Sequence, residues 1–167
     1  MKLVSVAALD ENRVIGKDGD VPWRLPKDVE QYRARVADSP VILGRRTHDE
    51  MNADPAGSHR IVLSRTRSDS DDATTTYVSS VEAAIETAAA TDSSTAYVLG
   101  GESIYELFQP HADEMVLTRV AGDHDGDSYF PSWERDEWRV DNRTSYESFT
   151  VEKWVRSDRP AVIDVVN

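Results

Sequence analysis

The chain has 167 residues, 39% of them hydrophobic, and its 31 acidic and 19 basic side chains give a formal net charge of −12. This length suits one domain with a sizeable core, and the charge argues against nucleic acid or an anionic membrane as a partner, because both would be repelled. Cysteine is absent, so we expect neither disulfides nor thiolate chemistry, and no apolar run is long enough for a membrane span or a signal peptide. We expect a cytoplasmic protein.

The excess of acidic residues leaves two interpretations. An acidic interaction module would carry blocks of like charge and few aromatic residues. Here the acids are spread along the chain among four Trp, six Tyr and three Phe. This favours a folded protein with an acidic surface, similar to proteins of a salt-rich cytoplasm. At about 1 M salt the screening length falls to roughly 3 Å, so mutual repulsion is weak there.

Strands and helices alternate along the first two thirds of the chain. Apolar runs predict strands at 2–10, 40–44, 60–64, 76–78 and 95–100. Helices are predicted at 26–37, directly after Gly44, at 80–90 and at 102–108, and polar loops at 10–26 and 66–76. The last third alternates at 114–120, 137–140 and 148–155, which is typical of antiparallel strands. The pattern predicts an α/β domain whose mostly parallel sheet has an antiparallel edge.

The segment GDVPWRLPKDVEQYR, Gly19 to Arg33, contains an acid that has two explanations. Pro26 suits the first turn of a helix, and Asp28 one turn in favours the positive end of that helix. This structural explanation suffices for most such acids. The functional alternative is that the helix start positions Asp28 for chemistry beside Trp23.

Three predicted strands end in residues suited to phosphate. Gly44-Arg45-Arg46-Thr47, Ser64-Arg65 and Gly100-Gly101-Glu102-Ser103 each follow an apolar strand, and ligands of such sheets bind at the carboxyl ends of the strands. Glycine lets the backbone approach a ligand closely, and arginine contacts phosphate with two parallel hydrogen bonds. None of the three is a Walker loop or a GxGxxG fingerprint. Their combination predicts a nucleotide site.

Two other features do not indicate a metal site. Residues 123–134 begin like a calcium loop, but Ser128 stands where that loop needs glycine, and Pro131 would break its geometry. The histidines have no ligand-type spacing and are expected on the surface; they are His48, His59, His111 and His124.

Taken together, the motifs of this chain resemble the dihydrofolate reductase family over nearly its whole length. The segment PW-LP-D and the strand followed by GG-x-x-I-Y are the most specific features. The matching pieces are VAAL (6–9), VIG (14–16), VPWRLPKD (21–28), PVILGRRT (40–47), IVLS (61–64), YVLGGESIYELF (97–108), LTRV (117–120) and GDSYFP (126–131).

The resemblance implies one domain, residues 1–167, with an eight-stranded, mixed, mostly parallel sheet and about four flanking helices. It implies a monomeric enzyme that uses NADPH as hydride donor and dihydrofolate as acceptor. Asp28 matches the family's ionisable side chain in the pterin pocket, where it would bind N3 and the 2-amino group. It would also favour protonation of N5 through water near Trp23. Other positions matching the substrate pocket are Val6, Ala7, Val29, Tyr32, Met51 and Thr118; the apolar ones are equally consistent with plain core.

The family pattern also implies which residues hold NADPH. Residues matched to the nicotinamide end, or to the loop from Val14 to Trp23 that would close over it, are Ala8, Val14, Ile15, Gly16, Gly19 and Asp20. Asp127 matches a residue that helps to hold that closed loop. Those matched to the adenosine half, with its 2′-phosphate, are Arg45, Arg46, Thr47, Leu63, Ser64, Arg65, Ser79 and Leu99. Gly100 to Leu107 would carry the diphosphate, with a cis Gly-Gly bond, and include Gly101, Glu102, Ser103, Ile104 and Tyr105.

One departure concerns the glutamate tail of folate. The family usually has an arginine directly after the glycine matched by Gly57, and this chain has Ser58. Arg33, which follows Tyr32 on the helix, and Arg60, on the same strand face as Ser58, are the candidate replacements.

Two alternative functions remain open at this stage. A reductase of the same fold that acts on a riboflavin-pathway pyrimidine is disfavoured by Asp28 in its PW-LP-D context. A protein that only binds the nucleotide, without turnover, has no feature in its favour, because the acid, the closing loop and the phosphate contacts are all present.

Overall fold

The computed structural model of the chain describes residues 1–17, 21–51, 55–66 and 73–157. The strands are β1 (Lys2–Leu9), β2 (Val14–Gly16), β3 (Pro40–Gly44), β4 (His59–Leu63), β5 (Thr75–Val78), β6 (Thr95–Gly100), β7 (Glu114–Val120), β8 (Ser128–Tyr129), β9 (Trp138–Ser145) and β10 (Phe149–Arg156). The helices are α1 (Pro26–Val36), α2 (Arg45–Glu50), α3 (Val81–Ala89) and α4 (Glu102–Phe108), and a 3-10 turn follows at Gln109–His111.

Within the described residues, eight strands form one sheet in the order β5-β4-β3-β6-β1-β7-β10-β9. The pairs from β5 to β7 are parallel, and β10 pairs antiparallel with both β7 and β9. The prediction of a mostly parallel sheet with an antiparallel edge and four helices is therefore confirmed. Parallel order places the carboxyl ends of β1, β3, β4 and β6 along one edge, which is where a ligand site is expected.

Alternating residues of the central strands bury opposite faces of the sheet. Val41, Ile42 and Leu43 of β3 are all fully buried, which is why this strand reads as a continuous apolar run. Ile42 packs in the larger core with Phe108. Val41 and Leu43 face a smaller core that holds Val36, the last residue of α1.

Helix α3 shows how the local sequence sets the ends of an element. Ser80 precedes the helix, and its Oγ accepts a hydrogen bond of 3.0 Å from the Ala83 N–H. Ala84 and Ala88, one turn apart, are fully buried against the sheet. The helix thus begins and ends within one residue of its predicted range.

The structure corrects the predicted loop at 10–26. Val14–Gly16 forms β2, which pairs antiparallel with Ser128–Tyr129 in a separate two-stranded sheet, here called the β2–β8 ribbon. Strands of three and two residues are too short to show an alternating pattern, so the sequence did not reveal them. Gly126 lies so close to this ribbon that it has no room for a side chain, since an added Cβ would lie 2.9 Å from the Gly16 carbonyl oxygen.

Other boundaries moved less. Strand β9 continues to Ser145, beyond the predicted 137–140. The prediction ended too early because the later residues of this edge strand are polar and exposed and give no apolar alternation. Strand β5 begins at Thr75, inside the predicted loop 66–76, of which residues 67–72 lie outside the described part. No helix in the described ranges has the length and apolar character needed to cross a membrane.

Candidate active site

A cavity of about 1450 Å³ opens at the carboxyl edge of the sheet. Ala8 of β1, Gly44 of β3, Leu63 of β4 and Leu99 of β6 all line it, together with Thr118 of β7. Its volume exceeds the roughly 300–1,000 Å³ of a pocket for one drug-sized ligand. The cavity can therefore hold two ligands side by side.

Asp28, on the first turn of α1, lines the end of this cavity that also contains Thr118 of β7. The Thr118 hydroxyl donates a hydrogen bond of 2.6 Å to Asp28 Oδ1. Burial raises the pKa of the Asp28 carboxyl, and the bond from Thr118 and the positive charge of Arg35 only partly oppose this rise. The helix start therefore places a carboxyl group of raised pKa inside the cavity, and the chemical role of Asp28 stays a prediction.

Largely apolar side chains surround this carboxyl group. Val6, Trp23 and Tyr32 line the same end of the cavity, and Val29 projects at its rim with 49% of its surface exposed. Tyr105 is buried beneath them and donates a hydrogen bond of 2.6 Å from its hydroxyl to the Val6 carbonyl oxygen. Burial, together with Tyr32, raises the pKa of Tyr105, so its hydroxyl stays neutral and acts as a fixed donor.

The opposite end of the cavity carries cationic and hydroxyl side chains. Arg45 and Arg46, the first residues of α2, line it with Thr47 of the same helix. Ser64 and Arg65 approach from the end of β4. A guanidinium cluster in a chain of net charge −12 is suited to an anionic ligand carrying phosphate.

The turn between β6 and α4 contributes the backbone of this end. The Gly100–Gly101 peptide bond is cis, and Gly100 has a φ of +104° with the Tyr105 ring packed against it. A Cβ added to Gly101 would meet, among the described residues, Thr47 Oγ1 alone, at 3.7 Å. The protein therefore leaves open space beside Gly101, on the side of the Thr47 hydroxyl.

The structure brings most of the residues predicted for the site together. Those that line the cavity are Val6, Ala7, Ala8, Ile15, Gly16, Trp23, Asp28, Val29, Tyr32, Arg45, Arg46, Thr47, Leu63, Ser64, Arg65, Ser79, Leu99, Gly101, Glu102, Ser103, Ile104, Tyr105 and Thr118. Val14, Arg33, Met51, Arg60 and Gly100 lie outside that lining. Gly19 and Asp20 lie outside the described residues.

Four further residues line the cavity and were not singled out from the sequence: Val21, Leu25, Glu50 and Ser128. Leu25 belongs to the PW-LP motif and Val21 directly precedes it, so membership of the matched segment 21–28 was the available signal. Glu50 and Ser128 line the cavity because α2 and the β2–β8 ribbon lie beside it in the folded chain, and neither residue has a local sequence signal.

The position of Arg60 argues against its suggested role in binding the folate tail. Its side chain is buried, and Nη1 donates a hydrogen bond of 2.9 Å to the Gly57 carbonyl oxygen. Nη2 donates to Thr74 Oγ1. Arg60 therefore ties the loop before β4 to the start of β5 instead of facing the cavity, a direction that strand alternation could not predict.

The expectation of surface histidines needs correction as well. His48 and His59 are half-buried, and His59 Nε2 lies 2.8 Å from Thr76 Oγ1. His124 is half-buried too, and its Nδ1 lies 3.1 Å from Oδ2 of the fully buried Asp10, while its ring contacts that of Trp23 edge-on at 5.2 Å. The contacts of His124 join segments about a hundred residues apart, and that of His59 depends on the pairing of β4 with β5, so spacing along the chain could not reveal them.

Comparisons with known proteins identify the family to which this fold and cavity belong. A family model described as dihydrofolate reductase matches residues 2–155. Dihydrofolate reductase 1 of Haloarcula marismortui is 38% identical, over 95% of this chain and 94% of its own length. Dihydrofolate reductase HdrB of Haloferax volcanii is 35% identical, over 98% of this chain and 88% of its own.

A solved structure gives the same result. Dihydrofolate reductase from Enterococcus faecalis, complexed with NADP(H) and RAB-propyl, superimposes with a TM-score of 0.81 at 25% identity, covering 94% of this chain and 97% of its own. The chain belongs to the dihydrofolate reductase family. It is an enzyme of that NADPH-dependent class.

Proposed function

We propose that this enzyme reduces 7,8-dihydrofolate to tetrahydrofolate with NADPH, and so supplies one-carbon metabolism for thymidylate and purine precursors. We also propose that it works as a monomer in a salt-rich cytoplasm. The observation that carries the catalytic proposal is the Asp28–Thr118 pair, at 2.6 Å, in a cavity whose other end is lined by arginine.

Asp28 has the chemistry needed to bind and orient a pterin ring. Its carboxylate accepts hydrogen bonds from N3 and the 2-amino group, and Thr118 fixes the carboxyl plane by donating to Oδ1. Val6, Ala7 and Val29 border the same end of the cavity and would hold the ring by packing. Such fixed geometry lowers the entropic part of the barrier.

Asp28 also has the environment needed to promote protonation at N5. Burial raises the pKa of its carboxyl, so a larger fraction is protonated near neutral pH than for an exposed aspartate. A water beside Trp23 would pass the proton from solvent to N5 under the influence of this group. Assisted proton transfer of this kind contributes about 10²–10⁴-fold in rate.

The remainder of the cavity fits NADPH, which supplies the hydride when bound. Ala8, Ile15 and Gly16 border the position next to the pterin end and would exclude water from the nicotinamide ring. Arg45, Arg46 and Arg65 would hold the 2′-phosphate, which favours NADPH over NADH. Thr47 would contact the adenosine half, and the Gly101–Ser103 turn would contact the diphosphate.

The proposal is tested by identifying the product. The enzyme in molar KCl is incubated with NADPH and either dihydrofolate or a riboflavin-pathway aminopyrimidine, and products are separated by liquid chromatography with mass detection. We expect tetrahydrofolate from the first incubation and no reduced pyrimidine from the second. Reduction of the pyrimidine without reduction of dihydrofolate would replace the proposed substrate.

A further inference from the structure

The turn that would carry the cofactor's diphosphate begins with an acid. Glu102 is the first residue of α4, directly after Gly101, and it lines the arginine-bearing cavity. A carboxylate beside a bound diphosphate is unfavourable, because like charges repel; here the half-buried position of Glu102 leaves it partly screened by water. The orientation of the Glu102 side chain accounts for the presence of this acid.

The Glu102 carboxylate is engaged by a backbone amide of another element. The Tyr129 N–H in β8 donates a hydrogen bond of 2.7 Å to Glu102 Oε1. A bond from an amide to an ionised acceptor is about twice as strong as a neutral one. The charge is thereby partly balanced, and α4 is joined to a strand 27 residues further along the chain.

Strand β8 pairs with β2, so this bond connects Glu102 indirectly to the residues of β2 that border the cavity where the nicotinamide is expected. Within the β2–β8 ribbon Tyr129 pairs with Val14, and Ser128 pairs with Gly16. The Asp127 N–H donates a bond of 3.0 Å to the Gly16 carbonyl oxygen. A short ribbon of this kind is marginal alone, so contacts on its outer edge decide how firmly it holds Ile15 and Gly16 at the cavity.

We propose that Glu102 is a positioning residue that couples the phosphate end of the cofactor site to the β2–β8 ribbon, and so to Ile15 and Gly16. A phosphate bound at the Gly101–Ser103 turn restrains the first turn of α4. The restrained Glu102 carboxylate then holds β8, and β8 holds β2. This role rests on the proposed use of NADPH and assigns a purpose to one side chain within it.

The test uses a cofactor fragment without a nicotinamide ring, 2′-phospho-ADP-ribose, at saturating concentration. Hydrogen–deuterium exchange of peptides covering residues 14–16 and 127–130 is measured with and without the fragment, and calorimetry measures its binding. The variants are Glu102→Ala, which removes the acceptor, and Glu102→Gln, which removes the charge but keeps an acceptor oxygen. Glu82→Ala, an exposed first-turn acid of α3 outside the cavity lining, is the matched control.

In the wild type, Glu102→Gln and Glu82→Ala, the fragment is expected to slow exchange in the ribbon. In Glu102→Ala it should bind without slowing that exchange. Single-turnover hydride transfer should fall about tenfold in Glu102→Ala, the equivalent of one charge-assisted hydrogen bond, and recover in part in Glu102→Gln, which keeps a neutral acceptor.

Equal ribbon protection in Glu102→Ala and the wild type, with the fragment bound to both, would overturn the coupling and leave the cofactor assignment intact. Failure of the wild type to bind the fragment would overturn the cofactor assignment and this inference together.

Discussion

Among single residues, Asp28 is the one on which the proposed catalysis depends most. The carboxyl group lies in a cavity, accepts a bond from Thr118 and has a raised pKa because of burial. We predict that Asp28→Asn loses about 10²–10⁴-fold in kcat at neutral pH, because assisted protonation is lost. Part of the activity should return in acid, where solvent protonates the substrate directly.

Steady-state kinetics from pH 5 to 8 check this prediction, with Asp38→Asn, an exposed acid just after α1, as the control. A variant whose activity stays equally low across the whole range would contradict the proton-transfer role of Asp28, while leaving its role in binding possible.

Thr118 supplies the second prediction at this scale. Its hydrogen bond lowers the pKa of Asp28 against the larger effect of burial. Thr118→Val keeps the shape and removes the donor, so the pKa of Asp28 should rise further above that of the wild type. Carbon-13 NMR titration of the aspartate carboxyls, with Asp28→Asn for assignment and the exposed Thr144→Val as control, measures the change. An unchanged or lower pKa would show that the bond does not act on the ionised form.

Arg60 and Arg33, on two different elements, are expected to have a structural and a binding role respectively. Arg60 joins the loop before β4 to β5 through Gly57 and Thr74, so Arg60→Ala should lower the free energy of unfolding by about 3 kcal/mol. Its KM for dihydrofolate should stay within about twofold of the wild type, since the side chain faces away from the cavity. Arg33→Ala is the variant expected to raise that KM.

Denaturation in molar KCl and steady-state kinetics measure both properties. A raised KM in folded Arg60→Ala, together with an unchanged KM in Arg33→Ala, would reverse the assignment of the tail-binding residue.

A second element-scale prediction concerns the antiparallel edge of the sheet. Burial alone would raise the pKa of Glu152 in β10, but bonds from Trp154 Nε1 and Arg143 and the charge of Arg119 more than offset it, so the pKa is lowered. The stabilisation from Glu152 is therefore present above its ordinary pKa of 4.5 and is lost as the pH falls through the lower folded value.

We predict that Glu152→Gln lowers the free energy of unfolding by about 2 kcal/mol at pH 7, and that this difference shrinks below pH 4. Urea denaturation at several pH values checks it, with the exposed Glu147→Gln in the same hairpin as control. A difference that grows in acid would contradict the sign of the pKa shift.

The sequence predicts some of the secondary-structure elements accurately and misses others. Strands β3, β6 and β7 and helix α4 have the predicted bounds, because each is a continuous apolar or amphipathic run whose burial matches its period. The β2–β8 ribbon was missed, because its strands are held by pairing across the chain and not by their own pattern. The side chain of His124 was misplaced for a related reason, since Asp10, which it contacts, lies 114 residues away. Arg60 was misplaced because strand alternation does not determine where the guanidinium group of a long side chain binds.

Some residues of the candidate site could also be predicted from the sequence, and others could not. The arginines stood out because they follow apolar strands, and Asp28 stood out because it follows Pro26 at a predicted helix start in a segment that also contains Trp23. Val6 and Val29 could not be separated from core residues on residue type alone, and Glu50 and Ser128 enter the cavity only in the folded chain.

At the scale of the whole molecule, the net charge of −12 predicts that stability depends on salt. The charges repel one another over a screening length of about 10 Å at 0.1 M salt and about 3 Å at 1 M. We expect the thermal midpoint of unfolding to rise steadily as KCl increases from 0.1 to 2 M, as scanning calorimetry can measure. Glucose at matched water activity is the control, and a midpoint that is flat or falls with KCl would contradict the proposed adaptation.

Dihydrofolate reduction itself can be followed as the loss of NADPH absorbance on addition of dihydrofolate, in molar KCl and in dilute buffer, with NADH in parallel. The account predicts turnover with NADPH that is sustained in salt, is weaker with NADH and falls at least about a hundredfold in Asp28→Asn. Folded protein that binds NADPH but oxidises none of it in the presence of dihydrofolate would contradict the claim.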